Sequence, residues 1–151
     1  MNVPVRIFAE NIAHEHGLPA YANIGDSGMD IRANETILIQ PKETKLIPTG
    51  IFVGLPEGYE IQVRPRSGMS LKTKMRVANA PGTVDEQYRG EICIIAENTH
   101  GSVDFTVAKG ERIAQIVLQQ VPKITWVVVA SKEHLGSTER GADGFGSTGT
   151  K

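Results

Sequence analysis

Cysteine is almost missing from this sequence. Cys93 stands alone among 151 residues, which excludes an internal disulfide and fits a reducing compartment. The same scarcity removes a Cys/His zinc site of the kind that activates water in base deaminases. The four histidines, at 14, 16, 100 and 134, show no metal-ligand spacing either. An excess of one charge is missing too, since 16 basic and 17 acidic side chains leave a net charge of −1. A general nucleic-acid coat would carry a strongly basic face, so no nucleic-acid partner is expected. A local arginine cluster could still hold one small polyanion. No apolar run approaches the ~20 residues that span a bilayer, and the start, "MNVPVRIFAEN", lacks the apolar core of a signal peptide. These absences predict a soluble cytoplasmic protein with no membrane partner, and its length fits one domain with a proper core.

What the sequence does have is punctuation. Sixteen glycines and eight prolines separate short runs rich in β-branched residues. Tyr59, Ile61 and Val63 alternate in "YEIQV", as do Ile92, Ile94 and Ala96 in "EICIIAE" and Val103, Phe105 and Val107 in "VDFTV". Such alternation puts every second side chain on one face of a strand. "TILIQ", "TKLIPTGIFVGL" and "ITWVVVA" are further strand candidates. Many short strands with close turn signals predict an all-β, jelly-roll-like sandwich or barrel. "KGERIAQIVLQQV" resists, because Ile113, Ile116, Val117 and Gln120 fall at helical spacing, and periodicity leaves helix and strand level. "SGMSLK" suits a short helix with Ser67 as N-cap. From about Ser131 the apolar pattern stops. The division is therefore a β core over 1–131 and a mobile C-terminal arm over 132–151, too polar to hold itself down.

Four segments could carry chemistry. "RPRSGMS" (64–70) sets two arginines beside a serine and a glycine, and guanidinium forks match phosphate oxygens; a solvated turn with a capped helix explains it as well. "NAPGTVDEQYRGE" (79–91) reads as a hairpin, with Pro81 fixing φ and Gly82 taking a positive φ. Asp85 beside that turn is, on its own, more simply a backbone cap. "GDSGMDIR" (25–32) carries Asp26 and Asp30 between glycines; solvated carboxylates are the plain reading, and ligation of a phosphate-bound Mg²⁺ the chemical one. The last segment, "RGADGFGSTGTK", spells G-x-G-x-x-G at Gly144, Gly146 and Gly149. Loops of that kind surround an anion with backbone N–H groups. The familiar versions continue into a helix, which two residues after Gly149 cannot form. Ser147 and Thr148 follow Gly146 directly, so the Walker lysine is absent as well, and no strand–helix unit supports a dinucleotide site.

Taken together, "GDSGMDIR", "RPRSGMS", "NAPGTVDEQYRGE", "GERIAQIV" and "RGADGFGSTG" resemble the five ordered motifs of the trimeric dUTPase family, over about Leu18 to Thr150. The resemblance implies an all-β jelly roll assembled as a homotrimer, with active sites shared between subunits and a C-terminal arm that closes on a neighbour's nucleotide. It makes the fourth motif a strand. The implied activity is Mg²⁺-dependent hydrolysis of dUTP to dUMP and pyrophosphate, which keeps dUTP low, limits uracil in DNA and supplies dUMP for thymidylate synthesis. A regulatory protein partner is left open.

Residue by residue, the resemblance implies that Asp85 is the general base for a water attacking the α-phosphorus. Arg66, Ser67 and Gly68 would hold the α- and β-phosphates, with Gln115 further along. Arg140, Gly146, Ser147 and Thr148 would surround the γ-phosphate, and Asp30 would help hold Mg²⁺ through water. Asn79, with the backbone of Gly82, Thr83, Val84 and Asp85 and that of Cys93, would meet the polar edge of uracil. Tyr88 would exclude a 2′-hydroxyl, and Phe145 would stack over the base. Arg64 falls where the family varies and is peripheral. Ser27 and Ser70 stand where alanine is frequent, and Asp143 adds a negative charge to the arm where glycine is frequent. A deoxycytidine triphosphate deaminase shares this fold, but it would need another acid at the base and no such arm.

Overall fold

The computed structural model describes residues 2–10 and 15–144. Strands β1 (Arg6–Ala9), β2 (Met29–Arg32), β3 (Ile37–Ile39), β4 (Thr44–Gly54) and β5 (Tyr59–Arg64) precede a short helix α1 (Ser67–Lys72). Strands β6 (Met75–Val77), β7 (Gly82–Val84), β8 (Glu91–Asn98), β9 (Phe105–Val107) and β10 (Arg112–Gln120) follow, then a 3-10 turn over Lys132–Leu135. They build two four-stranded antiparallel sheets, β1-β4-β8-β6 and β2-β10-β5-β7, and a two-stranded sheet β3-β9. Among the described residues no helix is long and apolar enough to cross a membrane.

Two of the alternating runs do what their period requires, whereas in "VDFTV" the strand covers only Phe105–Val107 and Val103 lies outside it, 56% exposed. Ile92, Ile94 and Ala96 on β8 and Ile61 and Val63 on β5 are buried in one shared core with Ile47, Ile51, Met75 and Ile116. Each fully buried aliphatic side chain contributes roughly 1.5–3 kcal/mol relative to exposure, so this two-sheet core dominates the stability. Asn98 is wholly buried at its edge, and its amide donates to the Ile39 and Val103 carbonyls, joining β3 to the loop before β9.

The ambiguous segment is a strand, β10, central in its sheet between β2 and β5. Its helix-like pattern has two causes. The register shifts between Arg112 and Ala114, and this bulge buries Ile113 and Ala114 in succession. Val117 is then buried on the opposite face, against Gly28.

Three local expectations need correction. The segment 79–91 is no hairpin, because β7 pairs with β5 in one sheet while β8 pairs with β4 and β6 in the other. Its turn is made by a cis Ala80–Pro81 peptide, and Gly82 has no positive φ. Gly82 is needed for space, since a Cβ there would sit 3.1 Å from Asn79 Nδ2 and 3.3 Å from Val63 Cβ. Helix α1 is capped by the extended residue Arg66 with no side-chain cap bond, so Ser67 is its first helical residue. "ITWVVVA" joins no sheet of the described chain. Ile124, Trp126, Val127 and Val128 are 72, 82, 82 and 93% exposed: the segment has strand propensity but pairs with no strand among the described residues. The second half of "GDSGMDIR" is strand β2.

Candidate active site

Two groups of the candidate residues form, and one strand carries both. The first is charged. β2 and β10 are neighbours with Gln115 opposite Asp30, and β5 lies on the other side with Arg64 opposite Gln115. That register gathers side chains from three motifs. Asp30 Oδ1 accepts from Arg66 Nε at 2.7 Å, and its Oδ2 accepts from Arg112 Nη1 at 3.2 Å. Arg66 Nη1 also donates to the Arg112 carbonyl at 3.1 Å, and Gln115 Nε2 donates to the Pro65 carbonyl at 2.9 Å. Both oxygens of the half-buried Asp30 are therefore engaged by guanidinium groups, which orient Arg66. Ser67 and Gly68 follow, exposed. Gln115 passes so close to Gly28 that any Cβ there would collide with its amide oxygen, which explains a glycine one residue before β2. Arg64 donates Nε and Nη2 to Gln62 Oε1, a contact within its own strand.

The second group is a depression of about 250 Å³ between the two sheets. Because β7 and β8 part into different sheets, the chain between them leaves a hollow. Asn79, Gly82, Thr83, Val84, Tyr88 and Cys93 all line it, with Val63 from β5 and Glu91 among the others. Its size suits one flat heterocycle rather than a large ligand. Asp85 is exposed at its margin, and its carbonyl accepts from Tyr88 N at 3.0 Å. Burial pushes the Cys93 thiol above its ordinary pKa, with the Glu91 carboxylate adding to the effect.

Strand β5 links the groups, placing Val63 in the depression while Arg64, Pro65 and Arg66 lead into the charged cluster. A smaller cavity of about 210 Å³ is lined by Asp30 and Arg112 together with His16, Leu18 and Ala20. A larger groove, about 670 Å³ beside Phe8 and Phe52, contains none of the candidate residues.

The arm is described only in part. Arg140 is exposed and donates Nε to the Asp143 carbonyl at 2.8 Å within its own turn. Phe145, Gly146, Ser147 and Thr148 lie outside the described residues. No group of three His, Cys, Asp or Glu residues suited to a metal occurs among the described residues. Reading the sequence missed Arg112, Gly28, Gly90 and Glu91. The only available signal for Arg112 was its place in "GERIAQIV", beside a segment whose helix-like spacing hid the strand that aims it at Asp30.

Comparison with known proteins agrees with this geometry. A family model described as dUTPase matches residues 14–149. The chain is 49% identical over 136 residues to the deoxyuridine 5'-triphosphate nucleotidohydrolase of Caulobacter vibrioides, covering 87% of this chain and 85% of the relative. It is 48% identical over 136 residues to the enzyme of that name from Chlamydia felis, covering 89% and 92%. Among solved structures it resembles the dUTPase of Staphylococcus bacteriophage 80alpha with dUPNHPP, with a TM-score of 0.83, 27% identity and coverage of 97% and 99%.

Proposed function

The chain belongs to the dUTPase family and is a dUTP diphosphatase; we propose that it works through an Asp85-activated water at a site completed by other copies of the chain. The observation that carries the proposal is the depression between the sheets. It brings Asn79, Gly82, Thr83, Val84, Tyr88 and Cys93 together beside Asp85. Uracil would sit there against Asn79 and the β7 backbone. Fixed donors and acceptors reject cytosine because buried polar groups would be left unpaired. Tyr88 would stand where a 2′-hydroxyl would go.

Asp85 takes a proton from water as its oxygen bonds to the α-phosphorus. The bond from that phosphorus to the α,β-bridging oxygen breaks, giving dUMP and pyrophosphate. Arg66, Ser67, Gly68 and Gln115 hold the phosphate chain and so supply positioning and charge stabilisation. The donor set fits a divalent cation held mainly by substrate: one carboxylate, Asp30, already shared with two arginines, would reach it through water. Bound Mg²⁺ would neutralise charge on the phosphates.

The assembly proposed is a jelly-roll homotrimer. Two features of the single chain support it: the exposed apolar segment 124–129, of a kind that marks protein–protein contact, and a charged cluster whose Arg112 is half exposed. The 1–131 core would hold the nucleotide, and the 132–151 arm, with Arg140, Phe145, Gly146, Ser147 and Thr148, would close over it and exclude water. The test is to incubate the protein with dUTP and Mg²⁺ and separate the products. Pyrophosphate with dUMP is expected; phosphate with dUDP would overturn α-phosphorus attack, and ammonia from dCTP would indicate the deaminase.

A further inference from the structure

The ring of Tyr88 lies across Gly90. A Cβ built on Gly90 would stand 2.6 Å from Tyr88 Cζ and 3.0 Å from Cε2, and would press on the phenol oxygen. Real carbon atoms do not approach so closely, so the ring occupies space that exists only because residue 90 has no side chain. The backbone makes no such demand, because Gly90 lies outside the left-handed region and would accept an alanine in its present conformation. The glycine serves the ring.

Laid down in this way, Tyr88 Oη donates to the Glu91 carbonyl at 2.9 Å. That acceptor is itself braced. Glu91 Oε1 accepts from the backbone N–H groups of Thr49 and Gly50 at 2.9 and 2.7 Å, where the β4 register shifts. Thr49, almost fully buried, returns its hydroxyl to the Ile92 carbonyl. The phenol is thus fixed at one end by a carbonyl anchored in two strands, and at the other by the Tyr88 N–H on the Asp85 carbonyl. Yet the ring is 46% exposed, so packing from above does not hold it.

We propose that Gly90 is a positioning residue for sugar selection: its missing side chain seats the Tyr88 ring in the one orientation that walls off the 2′ side of the sugar. The proposal rests on the sugar-selecting role given to Tyr88 above. With an alanine at 90 the easiest response is for the ring to swing outward about its side-chain torsions, since the clash falls on the far end of the residue. The wall then opens.

The experiment compares wild type, Gly90→Ala, Tyr88→Ala and the double variant, using kcat/KM for dUTP and for UTP with Mg²⁺. Gly90→Ala is expected to narrow the dUTP preference about tenfold, the scale of discrimination available from filling or opening a pocket by a small group. In the Tyr88→Ala background the same change should have no further effect, because the clashing ring is gone. If Tyr88→Ala narrows the preference and Gly90→Ala does not, this inference fails while the reading of Tyr88 stands. If Tyr88→Ala itself leaves the ratio unchanged, the reading of Tyr88 fails instead, and the role given to Gly90 with it. Should Gly90→Ala misfold, the double variant should recover folding. A double variant that also misfolds would place the glycine in backbone structure and overturn the proposal.

Discussion

The depression proposed for the nucleobase and the charged cluster proposed for the phosphates are built by opposite means. The depression has walls from both sheets of one chain, its tyrosine is seated on a glycine, and the glutamate below it is bonded to buried amides. The charged cluster instead leaves Arg112 half exposed and ties Arg66 to a shared carboxylate, while Arg140, the arginine proposed to join it, donates within its own turn. Recognition of a flat polar edge requires rigid, desolvated partners, which a core can provide. Binding a triphosphate requires charge that must remain hydrated until substrate arrives, so that half is left for closure.

The largest expected effect separates the two halves outright. Deleting 138–151 should abolish pyrophosphate release while deoxyuridine still binds and light scattering still reports a trimer. Deleting 123–151 also removes the exposed apolar segment and should yield a smaller species; a trimer surviving that cut would remove the segment from the interface. Next, Asp85→Asn should lower kcat at least ~100-fold, the share usual for a general base, with affinity for a non-hydrolysable dUTP analogue nearly unchanged. Comparable turnover would strip Asp85 of that role. Asp30→Asn should act on the charged half alone. Losing the charge on the acceptor of Arg66 and Arg112 should weaken analogue binding on the order of 10-fold and leave deoxyuridine binding untouched, so equal losses for both ligands would show that the halves are not separable.

The smallest effect belongs to the depression. Burial and then Glu91 raise the Cys93 pKa above its ordinary 9.0, so the folded chain keeps a neutral thiol after the unfolded chain has lost its proton. The resulting stabilisation is complete below the ordinary value and is lost as pH rises through the raised one. Wild type should therefore lose slightly more stability than Cys93→Ala in denaturant titrations carried from neutral into alkaline buffer. Parallel pH profiles would exclude the thiol as their source.

Much of this was legible in the sequence, and the reasons differ by region. Strands β5 and β8 follow a clean period of two because each has one face in the core and one outside it. β10 did not, because a central strand with a bulge buries residues on both faces. The five ordered segments pointed to the residues that gather, but not to how they gather. Nothing in "NAPGTVDEQYRGE" announces that its two strands enter different sheets, since pairing between distant segments is decided by the tertiary fold. Arg112 was hidden for a similar reason, as its partner Asp30 lies 82 positions away. Gly90 carries no signal of its own in the sequence, and only the ring lying across it marks it out.

Strand β5 has one more consequence. It carries Val63 in the hollow and leads to Arg66 in the charged cluster, so three residue steps, at most roughly 10 Å of extended chain, separate the place proposed for the base from the place proposed for the phosphates. That interval is a molecular caliper. Its jaws are spaced by the covalent chain, and with the proposed roles it would gauge how far a phosphate chain stands from its base. Inserting a single residue after Val63 would widen the gauge by one step and turn the following side chains to the other face. Length would then be misjudged even where chemistry is still recognised.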